Sequence, residues 1–462
     1  MSVNKDAFQP VTAGQSFSLN QHRTAHLARR PRASQAMLLA LIAAGFLWQN
    51  VLFFRFFGFA VTLPVFLTLL LFPVGLRDWF RKRRVHANLF YPPLALLAYE
   101  LVVQGVFRGK VHNPEWITSF SLLAMCAGIL IVSSKIRIDA NQLPALARGV
   151  SWCAYLMGGL GVAQFALGNV IGIEWQPLPD WLALREVDTR IDALRFAGLR
   201  RAWGISGEYS FYGIGMALLA VLCLMLIYFT PPSNRKTRFF QGGASLMALM
   251  GLGASASFSG WALLAMTLLA WFVTGSRRIL IRHRKILLLG FVALVFFVVI
   301  TWPFLRSRWQ SVLSGKDTSA NYRLRASMDL ILSPGRDVFS SLIGTGIGLE
   351  QESSQVLMTY EKHFGSDLIV WRGGAVIVNG WAYIAVTMGW IGLALNGWIL
   401  VAILRNKGNR LVPRFPLLVL LVGLFFASGH YLMPYWWAWL VLVVALRSVR
   451  IPEGSHQWLR TS

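Results

Sequence analysis

Arginine is the residue type in this chain that is best suited to chemistry, and it recurs in two separate polar stretches. Arg200 and Arg201 come just before an apolar segment, and Arg323 and Arg325 lie in a later polar segment. Guanidinium groups bind phosphate oxygens through paired hydrogen bonds and stay charged at physiological pH. Two such sets on one face predict a diphosphate site, although a single surface arginine more often forms an ordinary ion pair.

Two side chains could remove a proton from a hydroxyl group beside such a site. Glu208 stands at the start of an apolar segment, where an ionisable group is costly unless it is paired or functional. We expect it to be a general base whose pKa is raised by partial burial, or else the cap of a helix N-terminus. His363 is the only histidine between residues 305 and 375. It is the second candidate base, with a solvated surface histidine as the alternative.

The segment that carries Arg323 predicts a helix followed by a tight turn. Ser319 to Leu332 has apolar residues at helical spacing, begins with a suitable N-cap, and is followed by a proline and a glycine. Three glycines then alternate with other residues. They predict a backbone that another chain segment or a ligand can approach closely, and they are Gly344, Gly346 and Gly348.

Several kinds of site are missing from the sequence. There is no G-x-x-x-x-G-K loop for nucleotide phosphates, no H-E-x-x-H motif and no D-x-D motif. The three cysteines all fall within apolar segments, and no pair has metal-ligand spacing. We therefore expect no metal and no cofactor, and chemistry that does not depend on ATP.

The elements that must hold these residues are membrane helices. Apolar residues make up 56% of the chain and charged residues 14%, against about 25% charged residues in soluble proteins. Segments of about twenty apolar residues are long enough to cross a bilayer. The sequence thus predicts an all-α polytopic membrane protein with about twelve spans, at residues 36–54, 57–76, 88–106, 116–134, 149–170, 207–230, 239–256, 258–275, 285–304, 376–403, 415–430 and 433–449. Glu100 lies inside one of them, and we expect it to pair with an arginine.

The basic residues predict how the spans are oriented. The net charge is +25, and with both termini in the cytoplasm every predicted inside loop is basic. The charge therefore reflects topology and attraction to anionic lipids, which argues against a nucleic-acid partner. The predicted parts are a cytoplasmic tail (1–34), nine spans (35–304) with an outer loop at 171–206, one long extracytoplasmic loop containing helices (305–375), three spans (376–449) and a second cytoplasmic tail (450–462).

Four segments, in order, resemble the O-antigen ligase and Wzy-type polysaccharide polymerase superfamily. Members of that superfamily have an arginine and a glycine before one span, a small-residue turn between two spans, an arginine helix leading into a glycine turn, and a His-Asn pair before a late span. The corresponding segments here are RRAWGISGEYSFYG (200–213), ASASFSGWALLAM (254–266), NYRLRASMDLILSPGRDVFSSLIGTGIG (321–348) and VNGWAYIAVTMGWIGLALNGWIL (378–400).

The resemblance implies a metal-independent, inverting glycosyltransferase at the outer face of the bacterial inner membrane. Its donor and acceptor would be oligosaccharides linked to undecaprenyl diphosphate, and membrane lipids and a chain-length regulator are the further partners that the family suggests. Arg201 and Arg323, or Arg325 in place of Arg323, match the arginines that hold the diphosphate. Glu208 matches an acidic or asparagine position, the three glycines match the glycine turn, and Asn379 matches the asparagine of the His-Asn pair.

The chain departs from the family pattern at two positions. Val378 replaces the histidine that is proposed as catalytic in ligases, and Ser259 replaces an arginine in the small-residue turn. The first departure favours a polymerase of repeat units over a lipid A-core ligase. Either Glu208 or His363 then supplies the base, or the departing diphosphate carries most of the catalysis. A flippase for lipid-linked oligosaccharides is the alternative from another class, and we expect it to carry its charges within the spans.

Overall fold

A computed structural model describes residues 30–56, 59–81, 87–134, 136, 138–183, 195–196, 199–206, 208–229, 235–274, 306, 310, 314, 321–364, 377, 379–405, 414–427 and 431–449. These residues are mostly helical. The helices are α1 (Arg30–Ala43), α2 (Leu63–Leu69), α3 (Leu71–Arg81), α4 (Ala87–Tyr99), α5 (Pro114–Ser133), α6 (Leu143–Ala166), α7 (Tyr209–Phe229), α8 (Arg235–Ser255), α9 (Phe258–Thr274), α10 (Ser327–Leu332), α11 (Val338–Ile343), α12 (Ser354–Phe364), α13 (Gly380–Arg405), α14 (Arg414–Ala427) and α15 (Pro434–Arg447).

Wider π turns extend three of these helices. They follow α4 (Glu100–Phe107) and α6 (Leu167–Ile171), and one precedes α10 (Asn321–Ala326). Short strands form two antiparallel hairpins, β1 (Leu52–Phe56) with β2 (Phe59–Thr62) and β3 (Arg195–Phe196) with β4 (Leu199–Arg200). The helix predicted for residues 319–332 therefore exists, with its first turn wound as a π turn from Asn321.

The length and composition of the helices agree with a membrane protein. Five described helices are long and apolar enough to cross a bilayer, within the ranges 89–107, 114–133, 143–171, 209–227 and 380–405. Five shorter apolar helices accompany them, at 34–43, 63–77, 258–274, 414–426 and 434–447. The span predicted at 285–304 lies outside the described residues, as do most of both tails. The count of twelve spans and their orientation stay predictions.

The two helical spans predicted at 36–54 and 57–76 are wrong where they meet. Helix α1 ends at Ala43, and the chain then forms the β1–β2 hairpin before the helix α2 begins at Leu63. The reason is local, because LFFRF is rich in aromatic residues that favour extended backbone, and hydrophobicity alone does not separate a strand from a helix. Pro64 then suits the first turn of α2.

Helices α6, α7 and α8 pack closely because glycines face their neighbours. A Cβ atom on Gly158 of α6 would lie 2.4 Å from the carbonyl oxygen of Met247 in α8. On the other side of the molecule, α13 packs against α4 and α14, and α14 packs against α9. Small residues at such contacts allow close packing of helices in a bilayer, where the hydrophobic effect does not drive their association.

The N-terminal ends of α7, α9 and α13 lie at one end of the bundle. A Cβ atom on Gly213, near the start of α7, would lie 2.2 Å from Ser257, which directly precedes α9. Helix α14 runs the opposite way, since a Cβ atom on Gly423, near its C-terminus, would lie 2.9 Å from Leu263 in the first half of α9. Trp381, at the start of α13, donates its indole N–H to the carbonyl of Val422 (3.1 Å). We call this end, which carries the starts of α7, α9 and α13, the loop end.

Candidate functional site

Asn379 fixes the π turn that carries Arg323 and Arg325, which we call the arginine turn, to the start of α13. Its side-chain N–H donates to the backbone carbonyl of Arg323 (3.0 Å), and its Oδ1 accepts from the backbone N–H of Trp381 (2.9 Å) and of Ala382 (3.2 Å). Asn379 is thus both the N-cap of α13 and a tether for the π turn that carries Arg323 and Arg325. The side chain is fully buried, and its bonds with the protein explain its place without a ligand.

Asn379 should contribute more to stability than an N-cap alone. We expect Asn379→Ala to lower the free energy of unfolding by about 2 kcal/mol or more, because it removes a cap and leaves a buried carbonyl without its donor. Asn113 is the matched control, since it caps α5 through Glu115 and Trp116 but is not bonded to the arginine turn. Asn113→Ala should cost only about 1 kcal/mol. Equal losses in thermal unfolding of the purified variants would contradict the tether.

Helix α13 is broken at Gly389, and a segment of the long loop fills the break. Gly389 has φ 67° and ψ −171°, a conformation that L side chains rarely adopt. The break frees the carbonyls of the preceding turn. Thr345 and Gly346 donate their backbone N–H groups to Val386 (2.9 Å) and Thr387 (2.8 Å), and the Tyr99 hydroxyl donates to Met388 (2.8 Å). A broken span is tolerated in a membrane protein when its carbonyls find such partners.

The three predicted glycines lie in this docked segment, 342–349, which we call the glycine loop. Their φ angles are 73° at Gly344, 106° at Gly346 and 79° at Gly348. A Cβ atom on Gly344 would lie 2.5 Å from the backbone of Thr387, and one on Gly348 would lie 2.0 Å from the Ser119 hydroxyl. The chain itself thus makes the close approach that the glycines predict, at a depth of roughly 13 Å from the start of α13 at 1.5 Å per residue.

Sequence analysis did not identify the residues of α4 and of the π turn after it that hold the glycine loop. The Tyr99 hydroxyl shares its one proton between the carbonyls of Ile343 (2.9 Å) and Met388 (2.8 Å). Gln104 also donates to the carbonyl of Ile343, and Arg108 donates to that of Gly344. The i, i+4 spacing of Gln104 and Arg108 in an apolar segment was the available signal. The loop therefore has polar anchors on two helices.

Glu100 does not have the arginine partner that we expect from the sequence. Its side chain is fully buried beside the Ile347 backbone and the Trp116 indole, and neither carboxylate oxygen has a hydrogen-bond partner among the described residues. Arg108, which directly follows this π turn, is bonded to the glycine loop instead. The pairing prediction is wrong because the arginine satisfies a backbone carbonyl that the broken helix region exposes.

The segment around Arg200 and Arg201 is anchored at the loop end by α6. Asn169 accepts from the backbone N–H of Arg200 (2.7 Å) and donates to its carbonyl (2.9 Å). Gln164 accepts from the backbone N–H groups of Trp203 and Gly204, both at 2.9 Å. These bonds hold the backbone of the segment. The positions of the two guanidinium groups depend on separate side-chain contacts.

Arg200 and Arg201 have different surroundings. Arg200 forms an ion pair with Glu174 (3.4 Å), which is the ordinary alternative for a surface arginine. Arg201 is buried, and its guanidinium lies 4.4 Å from the centre of the Tyr209 ring, at the start of α7. A cation–π contact of this kind holds the guanidinium in place while its edge stays able to donate hydrogen bonds.

Glu208 is not the partly buried carboxylate that the sequence predicts. It is exposed at the start of α7, its carbonyl accepts the first helical bond from Tyr212 (3.0 Å), and its carboxylate accepts from the Ser210 hydroxyl. This is the N-terminal position that the alternative interpretation gave it, where the helix dipole favours a negative charge.

His363 in α12 is joined to α10, the helix that follows the arginine turn, through Asp329. Its Nε2 lies 2.9 Å from Asp329 Oδ2, and Lys362 Nζ lies 2.9 Å from the same oxygen. Hydrogen bonds from His363 and Lys362 lower the pKa of Asp329. The arrangement ties α12 to α10, so His363 has a structural role that the sequence did not indicate.

The tie between α12 and α10 should depend on pH. A carboxylate with a lowered pKa stabilises the fold above its unfolded pKa, and this contribution is lost as the pH falls through the folded value. We expect Asp329→Asn to increase hydrogen exchange in α12 at pH 7 and to change little in acid, where the native Asp329 is protonated. Glu361→Gln, at an exposed neighbouring position, is the matched control and should behave as wild type. An equal effect of both variants would contradict the assignment.

The structure thus brings some of the predicted residues together and separates others. Helix α13 contacts the glycine loop at its break, and Asn379 at its start holds the carbonyl of Arg323. His363 is linked to the helix after Arg323 through Asp329. Arg201 and Glu208 belong to the α6–α7 side of the same loop end. Within the described ranges, no group of three or more His, Cys, Asp or Glu residues could hold a metal. Val378 lies outside the described residues.

Comparisons with known proteins do not assign the chain to a family. No protein-family model matches it, and no curated protein is similar enough to count as a match.

Proposed function

We propose that the chain is a polysaccharide polymerase of the inner membrane, which joins oligosaccharide units carried on undecaprenyl diphosphate. One observation carries the proposal. The segment before α7, which holds Arg201, and the π turn of Arg323, which Asn379 bonds to the start of α13, lie at the same end of the bundle. A lipid-linked diphosphate lies at the level of lipid headgroups, where arginines at the end of a helix bundle can reach it. The class of reaction, glycosyl transfer, is suggested by the four sequence segments that resemble the polymerase and ligase superfamily.

The chemistry needs two things from the protein. As the glycosidic bond to the diphosphate breaks, negative charge grows on the leaving oxygen, and positioned guanidinium groups stabilise it. In this proposal Arg323 and Arg201 have that role, with Arg325 beside Arg323 and Arg200 held partly by Glu174. A base must also take the proton from the attacking hydroxyl of the acceptor.

Several features support rigid placement of these arginines. The carbonyl of Arg323 is fixed by Asn379, and Arg201 lies against Tyr209. Preorganised charges stabilise a transition state without reorganisation at the moment of reaction, which is what distinguishes a catalytic cation from a surface charge.

Glycan analysis of a strain that lacks the gene tests the proposal against its nearest alternative. A polymerase deletion should leave single repeat units on the lipid and remove the long chains. A lipid A-core ligase deletion should leave long chains on the lipid carrier. Accumulation of long lipid-linked chains would therefore replace our proposal with the ligase function.

A flippase is the proposal's rival from another class. Buried Glu100 and Gln104 in a predicted span are the observation that favours it, because transporters carry polar groups inside the membrane. The distinguishing result is transbilayer movement of a fluorescent lipid-diphosphate oligosaccharide in vesicles without any growth of the glycan.

A further inference from the structure

Glu350 follows the glycine loop and begins a short 3-10 turn, Glu350–Glu352. Its side chain is half-buried, and the turn packs against α12 and α13. The carboxylate oxygen Oε2 is buried and has no hydrogen-bond partner among the described residues. An acceptor oxygen of this kind is costly to bury unless a donor arrives from elsewhere.

The segment that ends at Glu350 contacts α13 about one turn beyond the tether to Arg323. Tyr383, which interacts electrostatically with Glu350, accepts a hydrogen bond on its hydroxyl from the backbone N–H of Gly348 (3.2 Å). Tyr383 is four residues after Asn379, roughly 6 Å along the helix, and Asn379 holds the carbonyl of Arg323. Both segments therefore contact the start of α13.

The charges around Glu350 favour proton uptake. Burial raises the pKa of Glu350, and the negative charge of Glu115, at the start of α5, acts in the same direction. Lys110, in the segment before α5, pairs with Glu352 (2.9 Å). Tyr383 and, beyond it, Glu100 are the other titratable groups that face this position.

We propose that Glu350 is the general base of the transfer reaction. This inference rests on the proposed function and names a third candidate base beside Glu208 and His363. An acceptor hydroxyl that reaches the carboxylate would give Oε2 the donor that it lacks. A base with an elevated pKa is also better matched to proton removal near neutral pH than an ordinary exposed glutamate.

The step balances without any further reagent. Glu350 takes the proton of the acceptor hydroxyl while the hydroxyl oxygen forms its bond to the anomeric carbon of the donor. The bond from that carbon to the diphosphate oxygen breaks, and its electron pair stays on the diphosphate beside the arginines. The proton on Glu350 passes to water once the product has left.

The test compares Glu350→Gln with Glu352→Gln in the same 3-10 turn, using full-length protein in lipid nanodiscs and an undecaprenyl-diphosphate-linked oligosaccharide. We expect Glu350→Gln to lower kcat at least about a hundredfold with little change in donor binding, and Glu352→Gln to keep wild-type kcat because its ion pair is exposed. The wild-type rate should rise with pH through a value above the usual glutamate range, and this limb should vanish in Glu350→Gln.

The remaining outcomes separate failure of the proposed function from failure of the Glu350 assignment. An inactive wild-type protein refutes the proposed function, whereas an active wild type with an equally active Glu350→Gln variant overturns only this inference. If Glu350→Gln fails to fold, Glu115→Gln replaces it, since Glu115 is exposed. Removing that carboxylate should shift the acid limb of the pH–rate profile to lower pH, and an unshifted limb overturns the assignment.

Discussion

Chain extension should fall at least about a hundredfold when Arg323 is replaced by alanine, because one preorganised donor to a developing oxyanion contributes about 10²–10³ in rate. Asn379 contacts the backbone carbonyl of Arg323 and not its guanidinium, so the substitution leaves the tether intact. Arg201→Ala should have a loss of the same order. The measurement is the rate at which purified protein in nanodiscs extends a lipid-diphosphate oligosaccharide.

A matched control separates charge from position in this experiment. Arg336 is exposed in the same polar segment, beyond the end of α10, and Arg336→Ala should keep the wild-type rate. Arg323→Lys should recover part of the rate, since lysine keeps the charge and loses the paired geometry. Normal extension by both Arg323→Ala and Arg201→Ala would contradict the diphosphate site.

Gly389→Ala should destabilise the protein by at least about 2 kcal/mol. A side chain at φ 67° is itself strained by about 1–2 kcal/mol, and its Cβ atom would lie 2.2 Å from the carbonyl oxygen of Leu342. Relief of that overlap requires the glycine loop to leave the break in α13. Thermal unfolding should therefore begin earlier, and hydrogen exchange should increase at Thr345 and Gly346.

Gly397 is the control for this substitution because it lies in the same helix, and a Cβ atom there would meet nothing within 4 Å. Gly397→Ala should leave the melting temperature unchanged or raise it, since alanine favours a helix by up to about 1 kcal/mol over glycine. Equal stability of Gly389→Ala and Gly397→Ala would show that the loop does not depend on the break.

The sequence predicted regular parts of this fold well, because long apolar segments of helical length leave few alternatives in a bilayer. The helix around Arg323 and the tight glycine loop were also predictable, since the helical spacing of Leu324, Met328 and Ile331 and the alternating glycines are local signals. The β1–β2 hairpin was missed because Leu52–Phe56 is apolar in either conformation. Hydrophobic pattern alone could not decide between strand and helix there.

The candidate site was harder to predict, because its character depends on contacts between distant segments. The role of Asn379 as a tether needs the carbonyl of Arg323, and the pairing of His363 needs Asp329 on another helix. The exposure of Glu208 and the partial burial of Glu350 likewise depend on how the loop end packs. Sequence spacing gives no measure of burial across such distances, so it predicted partial burial for Glu208, which is exposed.

The most direct test of the central claim uses purified protein in lipid nanodiscs, an undecaprenyl-diphosphate-linked oligosaccharide as both donor and acceptor, and no nucleotide sugar or ion gradient. Our account predicts a ladder of longer lipid-linked glycans in mass spectra, together with the release of undecaprenyl diphosphate, and loss of both in Arg201→Ala and Arg323→Ala proteins. Unchanged oligosaccharide in the presence of folded wild-type protein would contradict it.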